Sequence, residues 1–150
     1  MVERKLKFSV KVLNELSFLA KLHDIGKIAI KENILQKAKP LTSEERREIK
    51  KHSEIDYRIV LNMPGISSIA EYILHHHELW DGKGYPKGLA GKDIPFESRI
   101  IAIVDSYEAM TVERPYKKTL SENSAVEEII RNAGAQFEPC LLYTSPSPRD

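Results

Sequence analysis

The chain reads as an all-α domain, and three observations carry that reading. Apolar residues recur at helical spacing along several segments. No β-hairpin signal or internal repeat appears, and glycine and proline concentrate in one long loop. At 150 residues this is one domain or part of one, and 41% hydrophobic content suffices for a packed core.

Leu6, Val10, Leu13, Leu16, Leu19 and Leu22 follow roughly helical spacing and predict one amphipathic helix reaching His23. Gly26 interrupts that pattern, and Ile28-Ala29-Ile30 with the Pro40 region reads as a connection. Thr42 with Glu45 three residues later is a capping-box signature for the next helix, which Pro64-Gly65 stops. Ile49, His52, Asp56, Ile59 and Val60 share one face of it, so His52 points at the core side. Ile66, Ile69, Ala70, Ile73 and Leu74 define another helix, with His76 and His77 near its end.

Residues 78–95 hold four of the seven glycines and two prolines, which is loop chemistry. A loop of that length in a compact domain is usually functional or disordered. From Phe96, the run through Val104-Asp105 is a buried segment, and its continuation through Met110 favours a helix over a strand. A last helix spans residues 121–133, with Gly134 as its stop. Domain organisation is expected to be a partial domain over residues 1–140, followed by a disordered tail at 141–150 that is foreign to it.

The charge balance, 23 basic against 22 acidic residues for a formal +1, offers no strong field for nucleic acid or a membrane surface. The lone Cys140 excludes an internal disulfide and a cysteine-rich zinc cluster, and it fits a reducing cytosol. No run of ~18 apolar residues exists that could span a bilayer. Met1-Val2-Glu3-Arg4-Lys5 leads into no cleavable apolar stretch, which argues against secretion.

Imidazoles and carboxylates lie scattered through these apolar and helical stretches: His23-Asp24, His52, His76-His77 and Asp105. They are the side chains that divalent iron, manganese and zinc prefer. Burying such a charge costs several kcal/mol unless it is paired or bound to metal. Each also has an ordinary reading. His23-Asp24 fits a helix end with a solvated carboxylate, His52 a satisfied core or surface histidine, and Asp105 a surface position on an amphipathic helix. His76-His77 is the stronger signal, since adjacent imidazoles gain most when a cation holds them, and His75 is expected to face away. Lys27, Arg114 and Lys117 are solvated charges or phosphate-binding groups.

Taken together, these residues resemble the HD-GYP family, a branch of the HD metal-dependent phosphohydrolases. The carrying segments are His23-Asp24-Ile25-Gly26-Lys27, Leu41 to Glu45 with His52, and His76-His77-Glu78-Leu79-Trp80-Asp81-Gly82-Lys83-Gly84-Tyr85-Pro86-Lys87-Gly88-Leu89. Ile103 to Thr111 and Arg114-Pro115-Tyr116-Lys117 complete the match, which covers about residues 13 to 140. The resemblance implies a helical bundle holding two or three divalent metals, iron or manganese, that hydrolyses cyclic di-GMP to pGpG and on to GMP. Carried over by position, His23, Asp24, His52, His76, His77 and Asp105 would be metal ligands, with Asp24 the bridging carboxylate. Asp24 and Lys27 would be catalytic. Lys27, Arg114 and Lys117 would hold phosphate, and Tyr85 and Pro86 would line the substrate pocket. The family also uses the Gly84-Tyr85-Pro86 loop for contact with signalling partners, and it homodimerises.

Two departures accompany the match. The family takes a further histidine upstream of the His-Asp pair, and none precedes His23; Glu108 stands where aspartate is usual. The expectation is therefore a domain incomplete at both ends, whose full-length protein is the enzyme while this piece has weak activity or none. The alternatives are a catalytically silent nucleotide-sensing or partner-docking module, and a structural helical domain with coincidental histidines.

Overall fold

The computed structural model describes residues 7–113 and 117–143. Helix α1, Val10–Leu22, starts where the Ser9 side chain accepts the Val12 N–H, and it buries Leu16 and Leu19. It begins later than the leucine spacing predicts, and Lys7 just before it has φ +47°. The chain then tightens into a 3-10 turn at Ile25–Ala29 and passes through the one-turn helix α2, Glu32–Leu35.

Thr42 forms the expected capping box. Its hydroxyl accepts the Glu45 N–H at 3.2 Å, and the Glu45 carboxylate accepts the Thr42 N–H at 2.8 Å. The helix it starts is not continuous to Pro64. It is two helices, α3, Ser43–Lys50, and α4, His52–Leu61. At the junction Lys51 N–H turns back to Glu48 O at 3.3 Å, a tightened turn after which His52 takes the first position of α4.

A 3-10 turn at Ser67–Ile69 leads into α5, Ala70–Leu74, so His76 and His77 lie just beyond a helix end rather than inside it. The long loop follows, with a 3-10 turn at Gly91–Asp93. Helix α6 runs over Phe96–Thr111, α7 over Glu122–Arg131 and α8 over Pro139–Tyr143. Leu141 and Leu142, which the sequence reading assigns to the tail, are buried in α8, while residues 144–150 lie outside the described ones. No strand occurs among the described residues, and the fold is all-α as expected.

The main core joins Leu16 and Leu19 of α1, Val60 of α4, Ala70 and Ile73 of α5, Ile100 and Ile101 of α6, and Leu141 of α8. Each such side chain contributes roughly 1.5–3 kcal/mol by leaving water. A smaller cluster of Ile129, Phe137 and Leu142 secures α7 and the C-terminal turn against α6. Packing α1, α4, α5 and α6 together brings the end of α1, the start of α4, the exit of α5 and the middle of α6 to one end of the bundle. No helix among the described residues is long and apolar enough to cross a membrane.

Candidate metal centre

Three histidines enter this end of the bundle by the same local device. The Nδ1 of His23 lies 2.9 Å from Ala20 O, that of His52 2.6 Å from Ile49 O, and that of His76 2.5 Å from Ile73 O. In each case the acceptor is the carbonyl three residues back. A ring that donates Nδ1–H leaves Nε2 unprotonated with its lone pair directed away from its own helix, the tautomer that metal ligation uses.

Those Nε2 atoms meet the carboxylates. His23 Nε2 stands 3.2 Å from Asp105 Oδ1 and 3.5 Å from Asp24 Oδ2. His52 Nε2 is 3.5 Å from Asp24 Oδ1 and 3.1 Å from His77 Nε2. The rings of His76 and His77 lie 4.0 Å apart, and His76 meets the rings of His23 and His52 edge-on at 5.2 and 5.5 Å. Six side chains separated by up to 82 positions in sequence thus come together.

Two groups among them have donor atoms within 4.8 Å of one another: Asp24, His52, His76 and His77 on one side, His23, Asp24 and Asp105 on the other. Asp24 belongs to both. Two buried atoms of the first group, Asp24 Oδ1 and His76 Nε2, have no hydrogen-bond partner. Buried polar atoms are rarely left so, and a cation touching both would satisfy them. Nitrogen and carboxylate donors in this mixture suit iron, manganese or zinc.

The electrostatics favour the same occupant. Burial holds His76 down to about 4 and His77 down to about 2, reinforced by neighbouring imidazoles, and it lowers His52 as well. These rings therefore stay neutral at pH 7 with lone pairs available. Burial opposes charge on His23 too, but the Asp105 hydrogen bond and the Asp24 charge outweigh it and raise His23 to about 9. Burial likewise works against ionised Asp105, and the His23 contact reverses that, bringing it to about 2. In the second group a proton on His23 occupies the role that a cation would take.

Lys27, one turn after Asp24, reaches Asp24 Oδ2 at 2.9 Å with its side chain 36% exposed. Tyr85 stacks on His77 with ring centroids 4.9 Å apart and planes 20° from parallel, and Lys50 Nζ lies 5.1 Å from the Tyr85 centroid. Pro86 follows it, half-buried, after a cis peptide bond. Lys117 is exposed and forms no ion pair or hydrogen bond with this cluster, and Arg114 lies outside the described residues. His75 does face away from the cluster, toward Glu78 and Glu71.

Two acidic residues that the sequence did not mark as site residues prove fully buried here. Asp56, one turn after His52, accepts the Gly26 N–H, leaves Oδ2 unpartnered, and is pushed up to about 7 by burial. Glu78, directly after His77, turns both carboxylate oxygens to the loop. The signal for Asp56 was its position on the core face beside His52. Glu78 carried no signal for its hold on the loop, because the two backbone N–H groups it accepts are nine and eleven residues away.

A family model described as HD domain matches residues 1–141. A protein from Thermotoga maritima called "Cyclic di-GMP phosphodiesterase" is 43% identical over 129 residues, covering 85% of this chain and 35% of that protein. A Vibrio cholerae protein called "3'3'-cGAMP-specific phosphodiesterase 2" is 39% identical over 123 residues, covering 81% of this chain and 24% of its own length. The solved structure of an HDG"Y"P protein from Bdellovibrio bacteriovorus superposes with a TM-score of 0.72 at 19% identity, over 95% of this chain and 46% of the other. The chain spans about a third or less of these two relatives' length, 35% and 24%.

Proposed function

This chain belongs to the HD domain family, in its HD-GYP branch, and we propose that it forms the catalytic part of a cyclic di-GMP phosphodiesterase. The observation that supports this most is Asp24, which is common to two adjacent sets of metal-binding side chains. In this reading His52, His76, His77 and Asp24 hold one divalent ion, and His23, Asp105 and Asp24 a second, with iron or manganese the ions taken. Metal bound there supplies positive charge for the phosphoryl oxygens and a water acidified enough to react near pH 7.

The protein groups supply the rest. The Nδ1–H bonds to Ala20, Ile49 and Ile73 keep the imidazoles oriented, so no reorganisation is needed when substrate arrives. Lys27 is exposed enough to exchange its contact with Asp24 for a phosphate oxygen. Tyr85, steadied by His77, offers a flat apolar face at the mouth, and Pro86 adjoins it. Arg114 and Lys117 complete the phosphate contacts. Hydrolysis adds water across one diester: the bond from phosphorus to the 3′ oxygen breaks, that oxygen takes up a proton, and linear pGpG leaves. A second cut yields GMP. The protein acts in the cytoplasm, as a homodimer, and the Gly84-Tyr85-Pro86 loop docks a signalling partner.

The test uses the full-length protein purified without oxygen. Elemental analysis should find close to two metals per chain in the wild type, with turnover of cyclic di-GMP. Asp24→Ala should lose metal from both groups and lower turnover by at least about 100-fold, the upper range for ligand-supporting residues alone. Full metal content and turnover in that variant would defeat the proposal. A metal-loaded wild type that hydrolyses no cyclic dinucleotide would leave the sensing-module reading. The specificity named for the Vibrio cholerae relative makes 3'3'-cGAMP the second substrate to assay.

A further inference from the structure

Glu78 is 3% exposed, its side chain is wholly covered, and it directly follows the paired histidines of the cluster. Oε1 accepts the Lys87 N–H at 2.8 Å and lies 3.3 Å from His75 Nδ1, which is the donor because a carboxylate only accepts; Oε2 accepts the Leu89 N–H at 2.9 Å. No lysine or arginine side chain pairs with it among the described residues. Backbone N–H bonds to a carboxylate are about twice as strong as neutral ones, so this is a firm fastening.

What it fastens is the stretch just after Tyr85. On the near side, Tyr85 N–H reaches His77 O at 3.3 Å, and Gly84 passes so close that a Cβ would stand 2.5 Å from His77 O. At the base of the loop, Trp80 and Asp81 N–H groups bind Gln136 O at 3.2 Å and Ala135 O at 2.9 Å. Base and near side are thus held mainly by backbone groups, with one short-range side-chain contact, Asp81 Oδ1 accepting the Lys83 N–H at 3.0 Å. The far side, residues 87–89, relies on one side chain, and Tyr85 is suspended between them against His77.

We propose that Glu78 is a positioning residue for substrate: it fixes the returning arm of the glycine-rich loop and so sets Tyr85 over His77 at the mouth of the metal centre. This rests on the reading of Tyr85 as a substrate-contacting group. A carboxylate that merely satisfied loop amides would affect stability without any specific coupling to Tyr85.

The experiment is a double-mutant cycle on the full-length, metal-loaded protein, with Glu78→Gln and Tyr85→Ala. Glutamine keeps the size but turns an amide donor toward one of the two N–H groups. The variant is expected to keep its metal content and a kcat near wild type. Its KM for cyclic di-GMP should rise about tenfold, the loss expected for one buried hydrogen bond. In the Tyr85→Ala background the same change should leave KM where it was. Native trypsin should cut the variant faster at the exposed Lys83 and Lys87. An equal KM effect in both backgrounds, loss of metal, or unaltered cleavage would overturn the proposal.

If Glu78→Gln does not fold, amide exchange in the wild type decides. Lys87 and Leu89 amides should be protected on the order of 100-fold over an unstructured chain, and unprotected amides would refute the fastening. If the wild type turns over no cyclic dinucleotide, the functional reading fails on its own. Proteolysis and exchange would still report on the loop.

Discussion

His23, His52 and His76 each tie Nδ1 to the carbonyl three residues upstream, and only the backbone around them differs. That device was not visible as a spacing, because it depends on ring rotamer and on where each helix turn begins. Asp56 makes the complementary point. Its carboxyl is fully buried beside the turn that carries Asp24, and burial raises it from an ordinary value near 3.8 to about 7. The folded chain therefore binds that proton more tightly than the unfolded one. The associated stability is complete below about pH 4 and fades as pH rises through about 7. Asp56→Asn removes the charge while keeping an oxygen for the Gly26 N–H. In chelated protein, the wild-type melting temperature should fall between pH 5 and 8 by more than the variant's does. The two proteins differ only at Asp56, so the difference reports its charge together with that charge's coupling to Asp24, His23 and Lys27. Parallel curves would show that Asp56 does not titrate in this range.

At the scale of elements, sequence logic succeeded where signals are local and overran where they are not. The Thr42 capping box depends on residues three apart, and it forms. The break at Lys51 has no proline or glycine to announce it. It falls just before His52, whose contacts with Asp24 and His77 are tertiary and leave no local trace. The glycine-rich loop was legible as a loop but not as a fastened one. Gly84 tests that distinction. Its neighbours are backbone atoms, Leu79 N and His77 O, which cannot step aside as a flexible side chain would. Gly84→Ala should therefore cost about 1–3 kcal/mol, typical of overpacking. For a domain of this size that is a fall of several degrees in melting temperature. The variant should also show a higher KM as Tyr85 shifts from His77. A variant that melts and binds like the wild type would mean that the loop is not held close here.

Across the whole molecule, the core and the candidate centre are organised differently. Apolar packing joins α1, α4, α5 and α6 through residues that helical periodicity foreshadowed, and adds Leu141 of α8, which it did not. The cluster joins His23, His52, His76 and Asp105 across those same helices, and nothing in their spacing of tens of residues fixes that meeting. Only the family resemblance anticipated it, and Lys117 shows its limit, since it is not among the residues brought together here, while Arg114 lies outside the described ones. One end of the bundle thus concentrates neutral imidazoles and carboxylates where another protein would bury leucine. The first group takes its ligands from the end of α1, the start of α4 and the exit of α5, the second from the end of α1 and the middle of α6. An ion held by either would stabilise only the folded arrangement. At free metal about 100 times its Kd, each site contributes about 2.7 kcal/mol. For a chain of this size that corresponds to roughly 5–10 °C in melting temperature per site. Chelation of the full-length protein should lower the transition by at least that amount, and readded iron or manganese should restore it. Asp24→Ala, having lost the residue common to both groups, should melt at one temperature with or without chelator. If chelation instead leaves the wild-type transition unmoved, then packing alone holds this end of the bundle together.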